Sequence, residues 1–175
     1  MIITMLKHLL TDVEYWMYQK YWDKNCDPRT VNFWLMSGGP WKLLIISLMY
    51  VLIIVVGIWF MRNRKPFEIR LPMLVYNCAL VVINAYFLYK SFWWTNYGKD
   101  LFNFQFPSIQ DRSSRAMTTI NLYYYYLLSK FVDYFDTFFF ILRKKNNQIS
   151  ALHVYHHISV PMVGWISNWV SIKKK

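Results

Sequence analysis

From Trp41 to Phe60 the chain runs for twenty residues with a single charge, Lys42, at its edge. That is about the length an α-helix needs to cross the hydrocarbon core of a bilayer. Trp41 and Trp59 sit near its two ends, where interfacial aromatic residues usually lie. The rest of the composition agrees with such a setting. Hydrophobic residues make up 56% of the 175 positions, aromatics 21% and charged residues 17%. One small soluble core cannot hide aliphatic and aromatic side chains at that density, so lipid is the natural solvent for the excess.

The net charge of +11 would suit nucleic acid, but its distribution does not. The cations fall in clusters between apolar runs: Arg62, Arg64, Lys65 and Arg70; Arg143, Lys144 and Lys145; Lys173, Lys174 and Lys175. Clusters in that position orient a membrane protein. No nucleic-acid partner is expected. Two cysteines, Cys26 and Cys78, are too few for a disulfide framework, and Cys78 lies within an apolar run. The apolar start Met1–Leu10 is short, carries Lys7 and His8, and lacks a small-residue cleavage site, so it does not read as a signal peptide.

The expected fold is all-α, a polytopic membrane bundle of about four helices forming one domain over 1–175. Residues 1–40 are a mixed lead-in, closed by the helix-breaking Ser37-Gly38-Gly39-Pro40. The spans are placed at 41–60, 71–89, 116–142 and 149–172. Pro72 suits the first turn of the second span. Phe92, Trp93 and Trp94 follow that span at an interface, and 95–115 reads as a polar loop. Asn77 and Asn84, seven apart, share a face, either to join helices or to line a substrate path. Pro161 and Gly164 mark a possible kink in the fourth span. Four spans with both inner basic loops in the cytosol put the N-terminus in the lumen. Lys173–Lys175 would then be lumenal, against the positive-inside rule, and a chain cut from a longer protein is the expected explanation.

Two constellations could carry chemistry. In the third span Lys130, Asp133 and Thr137 fall within about 60° of one another on a helix, with Asp136 about 60° further on. Ionisable groups inside a bilayer cost about 2.5–3.5 kcal/mol or more, so these must face the bundle interior. Lys130 and Asp133 can pair at i, i+3. The group is either a structural ion pair or a polar site within the membrane. In the fourth span His153, His156 and His157 fall within about 100°. Convergent imidazoles serve either as metal ligands or as nucleophile and acid/base catalyst. Membrane di-iron desaturases also carry His-X-X-His-His, but they draw on three such boxes. This chain has four histidines, and His8 is remote, so metal use is the weaker reading. Arg143, Lys144 and Lys145 form a basic loop that could also attract phosphates of CoA or lipid headgroups.

The order of these pieces resembles the signature of the ELO family of very-long-chain fatty acid elongases. Lys130-X-X-Asp133-X-X-Asp136-Thr137 is followed by Leu142-Arg143-Lys144-Lys145, Gln148 and then His153-X-X-His156-His157. Asp27-Pro28-Arg29-Thr30, Trp34-Leu35-Met36 and Asn63-Arg64-Lys65-Pro66-Phe67 resemble animal members as well. Asp133 stands where the family usually has Glu. The family fold has about seven spans at the length each needs, and this chain has room for four.

The resemblance implies a multi-pass enzyme of the endoplasmic reticulum membrane, a 3-oxoacyl-CoA synthase. It would condense malonyl-CoA with a long-chain acyl-CoA and use no metal or redox cofactor. Its partners would be the bilayer, the two CoA substrates and other enzymes of the elongation cycle. On that reading His156 attacks the thioester, while His153 and His157 orient or move protons. Lys130, Asp133, Asp136, Thr137 and Gln148 form a supporting polar site. Arg143, Lys144 and Lys145 meet CoA or headgroups. The aromatic runs Tyr123–Tyr126 and Phe138–Phe140 pack the acyl chain, or else face lipid and other helices. The alternatives are a non-catalytic truncated relative or a di-iron desaturase or hydroxylase.

Overall fold

In the structure, a computed structural model, residues 12, 13, 17, 22, 27–30, 32–94 and 108–170 are described. The readings made above for Met1–Leu10, Cys26, residues 95–107 of the expected loop, and Lys173–Lys175 lie outside them.

Five α-helices follow one another among the described residues: α1 (Trp41–Met61), α2 (Arg70–Trp94), α3 (Ser114–Val132), α4 (Tyr134–Leu142) and α5 (Ala151–Val170). A single 3₁₀ turn, Asn146–Gln148, joins α4 to α5. No strand occurs among these residues, so the all-α expectation holds. Two of the helices, α1 and α2, are long and apolar enough to cross a membrane. The third expected span is interrupted. Asp133 ends α3 and starts α4, and the amide of Asp136 bonds to the Asp133 carbonyl at 3.2 Å in a tighter, three-residue step. α2 also runs past Tyr89, the expected end of that span, so Phe92 and Trp93 belong to the helix itself.

Local signals explain where these helices begin and end. Gly38 and Gly39 both have φ of +78°, which turns the chain into α1, and an added Cβ on Gly39 would lie 3.0 Å from the Trp22 ring. Ser113 caps α3, its hydroxyl accepting from the Ala116 amide at 3.1 Å. Beside it the Asp111 carboxylate accepts the Ser113 amide at 2.8 Å, which holds its carboxyl below the usual carboxylate range. α4 closes with the Lys145 amide on the Phe140 carbonyl and the Lys144 amide on Ile141, at 2.8 and 3.0 Å. This is a Schellman ending, with Lys144 at the left-handed position (φ +56°) that usually belongs to glycine.

α1 is the hub. Its inner face, Leu43, Ser47, Tyr50, Ile54 and Met61, is buried against α4 and α5. Gly57 lets the backbones approach, since a Cβ there would meet Ile141 at 3.1 Å. Two apolar clusters lie along it. Leu35, Met36, Leu43, Leu127 and Trp165 pack at one end, where the Trp165 indole donates to the Leu35 carbonyl at 3.1 Å. Tyr50, Ile54, Met61 and Ile141 pack at the other. Near the first end, the buried Asp27–Arg29 ion pair anchors the turn before α1. The Arg29 guanidinium also donates to the carbonyls of Ser108 and Asp111, at 2.9 and 2.6 Å.

Candidate active site

At the Tyr50 edge of the second cluster α1, α4 and α5 enclose a polar seam. α5 starts at Ala151, so His153 and His157 lie about 3 and 9 Å along it from the end that carries the basic loops. Their spacing of four residues stacks them on one face, with ring centres 4.3 Å apart. That face turns toward α1 and α4, and His157 is buried. The Nε2 of His153 is 2.8 Å from the Thr137 hydroxyl. Thr137, almost wholly buried, is in turn 2.7 Å from the Tyr50 hydroxyl. Three side chains from three helices therefore form one hydrogen-bonded line, Tyr50–Thr137–His153. Either hydroxyl can donate, so the line can hold His153 in one orientation whichever ring nitrogen carries the proton.

Aromatic rings close the seam around His157. Tyr50 and Tyr134 lie 4.1 Å apart, and each is about 6 Å from the His157 ring. The buried hydroxyls of Tyr134 and Ser47 are neighbours. Phe140 packs against His153 at 5.5 Å.

The histidine triplet divides here. His153 and His157 point into the seam, whereas His156 is exposed on the adjoining face of α5, its ring 5.7 Å from that of His157. The acidic constellation is split as well. Lys130 pairs with Asp133 at 3.1 Å and lies over the Tyr126 ring, and this pair is within electrostatic reach of His157. Asp136 lies on the other flank, beside Tyr76 of α2 and within electrostatic reach of His153. Tyr76 also donates to the Val132 carbonyl at 3.1 Å, just before the break at Asp133.

Gln148 is exposed in the 3₁₀ turn, away from these bonds. The three basic residues fan out. Arg143 turns to Met73 of α2, with Nη1 3.4 Å from the sulfur; Lys144 turns to α1, donating to the Arg62 carbonyl at 3.1 Å; Lys145 is exposed. Of the aromatic runs, Tyr124 stacks on Phe33, Tyr126 meets Phe87, and Phe139 meets Tyr76. Asn77 and Asn84 are both exposed, and Asn84 bonds back to its own helix at Leu80. Among the described residues, no three His, Cys, Asp or Glu side chains are placed to hold one metal ion.

Sequence reasoning missed Tyr50, Ser47, Tyr134 and Tyr76. Ser47 and Tyr50 are polar positions on the otherwise apolar face of α1, three residues apart, and that pattern was the available signal.

Residues 34–174 match the sequence family described as ELO: GNS1/SUR4 family. Over 148 residues, 82% of the chain, the sequence is 38% identical to very long chain fatty acid elongase 7 of Rattus norvegicus. It is 40% identical over 147 residues, 82% of the chain, to elongase 7 of Drosophila melanogaster, and 34% identical over 152 residues, 86% of the chain, to elongase 4 of Homo sapiens. These matches cover 51%, 43% and 48% of the three relatives, so the chain spans about half the length of the proteins it resembles.

Proposed function

The chain belongs to the ELO, GNS1/SUR4, family, and from that premise we propose that it carries out the condensing step of fatty acyl elongation in the endoplasmic reticulum membrane. In this reading it is a very-long-chain 3-oxoacyl-CoA synthase that joins malonyl-CoA to a long-chain acyl-CoA. The observation that carries the proposal is the imidazole arrangement. His153 and His157 are fixed inside the α1/α4/α5 seam, and His156 stands free on the adjoining face of the same helix turn.

The chemistry divides accordingly. A ring nitrogen of His156 attacks the acyl thioester carbonyl, the C–S bond breaks, and CoA leaves as a thiolate that takes up a proton. The acyl group is then held as an acyl-imidazole, a better acyl donor than the thioester. Malonyl-CoA loses CO2, and the electron pair of the broken C–C bond becomes an enolate. Attack of the enolate carbon on the acyl carbonyl breaks the C–N bond, the departing imidazole nitrogen takes a proton from water, and a 3-oxoacyl-CoA two carbons longer is left. His157, about one residue's rotation away, supports the proton inventory of His156. His153 is a positioning residue, set by Thr137 and Tyr50. No metal or redox cofactor enters these steps.

Placing both inner basic loops in the cytosol and the N-terminus in the lumen puts the histidines near the cytosolic face. The hydrophilic CoA then stays in water while its acyl chain enters the bundle. In this reading Arg143, beside Met73, and the exposed Lys145 would meet phosphates there. The test is an elongation assay in membranes carrying the chain, with labelled malonyl-CoA and a long-chain saturated acyl-CoA. His156→Ala should lower labelled 3-oxoacyl product by about 100-fold or more. Equal product from the variant would remove His156 from the reaction, and a chain that inserts normally yet never consumes malonyl-CoA would be a non-catalytic member of the family.

A further inference from the structure

On a different flank of α1, the helix and the loop after α4 form a groove of about 530 Å³. Its apolar wall is Val55, Ile58 and Trp59, bordered by Met61 of the inner face, and its polar end is Arg62, Lys144 and Asn146. We propose that this groove is a binding site for an anionic phospholipid, with the phosphate against Arg62 and Lys144 and the start of an acyl chain along Val55 and Trp59. The inference stands on the groove and on α1 crossing the membrane; it does not depend on the condensation chemistry.

The groove has the polarity of such a lipid. Val55 and Trp59 are 62% and 72% exposed, so the apolar wall is open to hydrocarbon. Seven residues separate Val55 from Arg62, about 10 Å along the helix, which carries the wall from lipid depth to headgroup depth at the end of a spanning helix. Basic pockets beside membrane helices at that level are a recurring means of holding anionic headgroups.

The cations are placed and unneutralised. Across 61–70 and 143–148 seven basic residues (Arg62, Arg64, Lys65, Arg70, Arg143, Lys144, Lys145) face one carboxylate, Glu68. Neither Arg62 nor Lys144 forms an ion pair among the described residues. Lys144 spends one ammonium proton on the Arg62 carbonyl and keeps two to donate. The left-handed backbone of Lys144 aims its side chain at α1, a conformation that costs energy for a lysine and would suit glycine better.

Geometry separates this site from the reacting CoA. The histidines meet α1 at Tyr50, on the face that also buries Ile54, and Val55 is about 100° further around the helix.

Native mass spectrometry of the chain, purified in detergent and titrated with phosphatidic acid or phosphatidylcholine, tests the proposal. Two placed cations predict a preference for phosphatidic acid of roughly tenfold to thirtyfold. Arg62→Gln with Lys144→Asn should bring it close to one, asparagine being tolerant of the left-handed backbone. Asn146→Asp, an exposed change, should lower it too by repelling phosphate. Arg64→Gln with Lys65→Gln removes the same charge outside the groove and should leave it within about threefold. Circular dichroism showing unchanged helix content makes these comparisons valid. Undiminished preference in the groove variants, an equal loss in the Arg64/Lys65 control, or displacement of phosphatidic acid by free CoA would each overturn the assignment.

Discussion

The two helices apolar enough to cross a membrane, α1 and α2, have opposite lives in this fold. α1 buries a full face, and that face carries two hydroxyls, Ser47 and Tyr50, into the middle of the bundle. α2 has no buried residue among those described and meets its neighbours through single side chains such as Tyr76 and Phe87. Apolar length therefore says that a helix can enter lipid, but not what it packs against. The difference lies in a few small and polar residues: Gly57 admits α4, and Tyr50 completes a hydrogen-bonded line that α2 has no counterpart for.

That contrast can be broken by mutation, and the largest effect is expected in the seam. Thr137→Val strands the Tyr50 hydroxyl and a His153 nitrogen together. Each buried group left unsatisfied costs about 1–3 kcal/mol, so the unfolding midpoint in detergent should fall by an amount equal to about 2–5 kcal/mol. Tyr50→Phe leaves Thr137 its bond to His153 and should cost only about 1 kcal/mol. Gly57→Leu should fall between these two, at about 1–3 kcal/mol, because its side chain must displace Ile141. Lys144→Gly should act with the opposite sign, stabilising by about 1 kcal/mol as the left-handed strain is relieved. On α2, Asn84→Leu should change the midpoint by less than about 0.5 kcal/mol, since its amide bonds only within its own helix. A cost for Asn84→Leu as large as that for Thr137→Val would erase the distinction between the two helices.

Much of the architecture was legible from residue order alone. The α1 segment announced itself by apolar length, and Ser37-Gly38-Gly39-Pro40 set its start through backbone conformations that few residues adopt. The Lys130–Asp133 pair followed from helical spacing. The break at Asp133 did not, because it depends on how α3 and α4 pack on different neighbours and not on a glycine or proline. The histidines were legible as a set, yet their division was not. Periodicity puts three imidazoles within one broad arc, while the position of α1 decides which two are enclosed and leaves His156 outside. Tyr50 was hidden for a related reason: a lone tyrosine in an apolar run looks like bulk until its partner Thr137, 87 residues away, is seen.

The central claim, that the enclosed histidines orient and the open one reacts, is tested most directly by trapping the acyl group. The chain is mixed with a long-chain acyl-CoA in the absence of malonyl-CoA, free CoA thiol is followed, and the protein is digested for peptide mass mapping. The account predicts CoA release approaching one equivalent, with the acyl mass on His156 and neither signal in His156→Ala. Absence of CoA release, or an acyl group mapped to Cys78 or a lysine, would contradict it.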